Sequence, residues 1–62
     1  MFSKNLKEKR EQLGLSQMEL ARRVCLSQSL IAAYEMGTRK PTGDAVAAIA
    51  RALGCTMDDL YR

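Results

Sequence analysis

The chain has 62 residues, 10 Lys and Arg against 7 Asp and Glu for a net charge of +3, and 47% hydrophobic but only 5% aromatic residues. That length allows one small domain, residues 1–62, which hides only about 60% of its unfolded surface and leaves no room for a sensor domain. Two cysteines without any histidine cannot supply the roughly four paired ligands of a zinc site, and no apolar run nears the roughly 20 residues of a membrane span.

A first helix is expected from about Ser3 to Leu13, with Phe2, Leu6 and Leu13 on one face and Gly14 as its C-terminal cap. Arg10 lies on the same face. A guanidinium aimed at a core needs an acidic partner, for which Glu35 is the best candidate; otherwise its stem lies along the surface with the head in water. Leu15-Ser16, followed by Glu19-Leu20, combines an N-cap, a capping-box carboxylate and a hydrophobic staple. Leu26, Ser27 and Ile31 repeat the cap and staple eleven residues later. Between and after these starts, Leu20, Ala21 and Val24, then Leu30, Ile31 and Tyr34, recur at helical spacing. The result is two short helices joined by a turn too tight to do more than fix their angle.

Gly37 caps the third helix, and Thr38-Arg39-Lys40 concentrates positive charge in a loop that Pro41 keeps from running into the next helix. Thr42 caps a fourth helix with Asp44 in its first turn and a buried stripe of Val46, Ile49, Ala50 and Leu53, closed by Gly54. Cys55-Thr56 and Asp59-Leu60 then open a short fifth helix with the same cap, box and staple. Met57 and Tyr61 lie four apart on it, and either form an apolar self-contact between two copies or finish the core. The predicted fold is therefore all-α, a compact bundle of five short helices, roughly 3–13, 17–24, 28–35, 43–53 and 57–61, around a central helix-turn-helix.

The run LGLSQMELARRVCLSQSLIAAYEMGTRKP, continued as AIARALGCTMDDL, resembles the DNA-binding domain of the lambdoid phage repressor and Cro family over nearly the whole chain. The Ser-Gln opening, the Tyr34-Glu35 pair, Gly37 and Ala52-Leu53-Gly54 hold that family's spacing. The resemblance also supports pairing Arg10 with Glu35, since many relatives carry an Arg and a Glu at the matching positions. At the turn position of Cys25 similar proteins usually have Gly, so a Cys kept in the same left-handed conformation costs about 1 kcal/mol.

The resemblance implies a double-stranded DNA partner, and helix geometry then assigns the contacts. A helix fits the major groove of B-DNA with the outward residues of its N-terminal half at the base edges. With Ile31 and Tyr34 inward, those residues are Gln28, Ser29, Ala32 and Ala33. Gln28 can bond adenine twice, Ser29 can donate or accept, and the two alanines offer only methyl groups to a thymine. Gln28 is otherwise an ordinary solvated residue, and Ala32 and Ala33 otherwise a generic helix surface. Phosphate contacts are expected from Gln17, at the first position of the second helix, and from Thr38, Arg39 and Lys40. Lys7, Arg22, Arg23 and Arg51 read as solvated helix faces. Ala32 and Ala33 depart from the polar or basic residues frequent at those positions in similar proteins, and Met36 and Gly43 from residues often polar or bulky there.

No Gly-rich phosphate cradle and no nucleophile-and-base pair accompany the missing histidine, so no enzyme, cofactor or small-molecule ligand is expected. With no apolar signal segment after Met1, the expected location is cytoplasmic, with no membrane contact, where both cysteines stay free thiols used as small apolar residues. The same resemblance implies a transcriptional regulator, repressor or activator, binding as a weak homodimer on a pseudo-palindromic operator with recognition helices about 34 Å apart. A protein-interaction module, an antitoxin or adaptor presenting the alanine face of the third helix to a protein groove, is the alternative.

Overall fold

The computed structural model describes residues 1–62 as five helices without strands: α1 (Phe2–Gln12), α2 (Gln17–Val24), α3 (Gln28–Met36), α4 (Gly43–Leu53) and α5 (Met57–Tyr61). The helix starts follow from their caps. Ser16, Ser27, Thr42 and Thr56 are all extended and accept a hydrogen bond from the backbone N–H three residues on. At Ser16 and Thr56 the box closes reciprocally, with Glu19 and Asp59 accepting from the cap's own N–H. Each such cap is worth about 1 kcal/mol, a large share for a domain of this size.

Staple residues and helix stripes converge on one core. Leu6, Leu20, Ile31, Val46, Ile49 and Leu60 are sealed from solvent, with Phe2, Leu15, Val24, Tyr34, Ala45, Ala50 and Leu53 around them. α1, α4 and α5 hold α2 and α3 from behind: α3 packs on α1 and α2, while α4 packs on α2 and α5. Chain ends meet there too, because the Asn5 amide in α1 donates to the carbonyls of Leu60 (3.0 Å) and Arg62 (2.6 Å). Phe2 bridges the ends of the bundle, edge-on to Tyr34 at 6.2 Å and tilted against Tyr61 at 5.5 Å. No helix is long and apolar enough to cross a membrane.

Two details differ from the pattern in the sequence. α1 runs one residue earlier than expected and stops at Gln12, and Leu13, expected on the buried face, is 53% exposed. Gly14, at φ 71°, reverses the chain there, the Leu15 N–H reaches back to the Arg10 carbonyl, and Leu15 rather than Leu13 enters the core. α3 continues one residue further, to Met36, before Gly37 turns it off.

The turn between α2 and α3 is strained. Cys25 has φ 58° and ψ 37°, the sole positive-φ residue other than glycine, and its side chain is exposed rather than serving as apolar filling. Cys55, by contrast, is half-buried against the core, and that burial pushes its thiol pKa up. A left-handed residue with a Cβ costs about 1–2 kcal/mol. Cys25→Gly removes that strain but gives the unfolded chain more freedom. The net expectation is a gain of about 1 kcal/mol, read as a higher urea midpoint at unchanged slope.

Candidate nucleic-acid interface

An ion pair joins α1 to the last turn of α3 beside the core. Arg10 and Glu35 meet fork to fork, Nε to Oε2 at 2.6 Å and Nη2 to Oε1 at 3.0 Å, with side chains only 10% and 4% exposed. The remaining arginine nitrogen, Nη1, donates to the Leu15 carbonyl at 2.7 Å. Gln17 joins the same carboxylate, its Nε2 donating to Glu35 Oε1 at 3.0 Å. One buried carboxylate thus ties α1, the first residue of α2 and the last turn of α3. No buried side-chain polar atom is left without a partner.

Electrostatics follow from that arrangement. Burial alone would raise the Glu35 pKa, but hydrogen bonds from Arg10 and Gln17 outweigh it and hold the carboxyl below its ordinary range. Arg10 is raised, chiefly by its bond to Glu35. Glu19 and Asp59 are lowered too, mainly by the N–H groups of Ser16 and Thr56 that they cap. All three carboxylates bind protons less readily folded than unfolded. Their contribution is therefore complete above the unfolded carboxylate range, about pH 4, and is lost as pH falls through the depressed folded values. Urea midpoints are expected to be level down to about pH 5 and to fall steadily below pH 4, with Glu35→Gln flattening part of that fall.

At the N-terminal half of α3, Gln28 and Ser29 are exposed and make no side-chain hydrogen bond within the chain. Ala32 and Ala33, one turn further, are half-buried. Arg39 and Lys40 stand exposed in the loop after α3, without an intramolecular salt bridge. Thr38 sits differently from expectation. Both its N–H and its hydroxyl donate to the Ala33 carbonyl, at 3.1 and 3.3 Å, closing the end of α3, so a bond from Thr38 to phosphate requires that hydroxyl bond to break. Gln17 is also engaged, but only through one of its two amide protons. Met36, 75% exposed beside the basic loop, presents an apolar side chain there.

Sequence reasoning passed over two side-chain ties, one in the supporting fold and one in the site. Asn5, in the middle of α1, anchors the C-terminal carbonyls; an amide residue inside a helix is a weak sign of such a role. The tie from Gln17 to Glu35 joins residues eighteen apart and has no sequence signature.

Comparison with known proteins places this geometry. The helix-turn-helix family model matches residues 6–60. An uncharacterised HTH-type transcriptional regulator of Bacillus subtilis, YqaE, is 34% identical over the whole chain, which spans about half of that relative's length, 53%. Among solved structures, the restriction-modification controller protein C.AhdI of Aeromonas hydrophila matches with a TM-score of 0.92 at 32% identity, covering 95% of this chain and 89% of its own. The P22 c2 repressor, solved in complex with a synthetic operator, matches at 0.92 with 27% identity over 97% of this chain and 91% of its own. The DNA-binding domain of the same repressor in solution matches at 0.94 with 26% identity, covering 98% and 80%. In sequence and in backbone alike, this chain belongs to the helix-turn-helix family.

Proposed function

We propose that these 62 residues form one sequence-specific double-stranded DNA-binding domain of a transcriptional regulator, reading the major groove with α3. The observation that carries this reading is the pairing of an exposed Gln28 and Ser29 at the start of α3 with unpaired Arg39 and Lys40 in the loop that follows it. A helix seated in the groove by its first turn brings a following basic loop to the neighbouring phosphates. Gln28 is the base reader, bidentate to an adenine, with Ser29 beside it and the Ala32 and Ala33 methyls against a thymine. Gln17, Arg39 and Lys40 hold the backbone. The P22 c2 repressor, at 27% identity, is solved in complex with a synthetic operator, which supports DNA as the partner.

So small a module touches few base pairs, and we read its working form as a weak homodimer on a pseudo-palindromic site, with Met57 and Tyr61 of α5, 43% and 55% exposed, as the candidate self-contact. Regulation by occupancy alone suits such a protein in the cytoplasm and requires no bond chemistry. The experiment is selection from a pool of random duplexes, followed by anisotropy titration at several salt concentrations. A recovered pseudo-palindrome bound with log affinity linear in log salt is expected, and Gln28→Ala should cost about 1–3 kcal/mol per half-site and relax one base position in each. No enrichment, with weak binding gone at physiological salt, would instead favour an antitoxin or adaptor docking a protein on the alanine face of α3.

A further inference from the structure

Gln17 is the first residue of α2, and its amide is not free to wander. One Nε2 proton goes to Glu35 Oε1 at 3.0 Å, and that oxygen also receives Arg10 Nη2 at 3.0 Å while Oε2 receives Arg10 Nε at 2.6 Å. The Glu35 side chain is 4% exposed, whereas Gln17 is half-buried at the edge of the network. A glutamine side chain has three rotatable torsions, and holding one amide proton restricts the directions open to the other, because the two N–H bonds share a rigid plane. Charge matters as much as geometry here. An unpaired carboxylate beside a phosphate-binding position would repel the phosphate, but Arg10 cancels the Glu35 charge, so Glu35 can hold Gln17 without opposing an anion.

From this we infer that the buried Arg10–Glu35 pair is a positioning device for DNA binding: it presents the second amide proton of Gln17 to a backbone phosphate, pre-oriented before the DNA arrives. This rests on the DNA-binding reading above. Arg10 and Glu35 touch no DNA themselves; they act through Gln17. The advantage is entropic, since a side chain already ordered in the free protein loses little freedom on binding. A salt bridge serving only to join helices would leave the worth of Gln17 to the complex independent of it.

The test is a double-mutant cycle on DNA affinity. Gln17→Ala is compared in the parent and in Arg10→Met/Glu35→Leu, which replaces the pair with apolar side chains and removes the acceptor that holds the amide. In the parent, Gln17→Ala is expected to weaken binding about tenfold and to erase one phosphate contact per half-site in ethylation interference. In the double-variant background the same change should cost less than about twofold. An equal loss in both backgrounds would overturn the inference while leaving DNA binding intact; a parent that binds no DNA fails the functional reading itself, and the inference with it. Should the double variant not fold, nitrogen-15 NMR of the parent decides: one Gln17 side-chain amide proton should keep its free-state shift on DNA and the other move. Movement of both, showing release from Glu35, would sink the idea.

Discussion

Glu35→Leu alone is expected to destabilise the domain by about 3–5 kcal/mol, because it leaves the Arg10 guanidinium buried with neither carboxylate oxygen to receive it. For 62 residues the whole stability is roughly 3–9 kcal/mol, so this one change removes from about a third to all of it. Adding Arg10→Met should restore most of the loss, since replacing both charges by apolar groups of similar volume is often neutral. It should not restore all of it. Arg10 Nη1 also satisfies the Leu15 carbonyl at 2.7 Å, and an orphaned buried acceptor costs about 1–3 kcal/mol unless water reaches it. Urea unfolding followed by circular dichroism gives both values, and a double variant no better than Glu35→Leu would show that the buried charge was not the source of the loss.

Why this pair could be anticipated, and its extension could not, is a matter of what periodicity encodes. Arg10 shares a helical face with Phe2 and Leu6, so the sequence alone demands an acidic partner for it. The same is true of the helix starts, where a hydroxyl, a carboxylate three residues later and flanking apolar residues form a local code for Ser16 and Thr56. Local codes fail where the answer depends on what lies across space. Leu13 has the right phase for the buried face, yet the Gly14 reversal delivers Leu15 to the core instead. Thr38 looks like a loop hydroxyl facing outward until the end of α3 offers it the Ala33 carbonyl. Gln17 has one attractive local role at a helix N-terminus, and only the fold brings it to Glu35. The exposed Gln28 and Ser29 of α3 are the hardest to assign, because an outward side chain that bonds nothing within the chain satisfies no internal constraint that would betray its purpose.

Arg39→Gln/Lys40→Gln is expected to have the largest effect on function with almost none on stability. Both side chains are exposed and lie outside the salt bridges of the fold, so the change should stay within about 0.5 kcal/mol in urea unfolding. On DNA the consequence is multiplied. Each phosphate contact contributes about 0.9 to the slope of log affinity against log salt, and a dimer loses two per copy, so the slope should become shallower by about 3.6. Extrapolated from 1 M salt, where the counterion contribution vanishes, that slope corresponds to a loss of about 4 × 10³-fold near 0.1 M. Base preference should survive, because the change leaves the proposed base readers, Gln28 and Ser29, in place. The opposite pattern, unchanged slope with altered base preference, would move the loop from the phosphates to the base edges. Titration of one selected duplex at four salt concentrations separates the two, and the slope change also counts the copies bound: about 1.8 for a monomer and about 3.6 for a dimer.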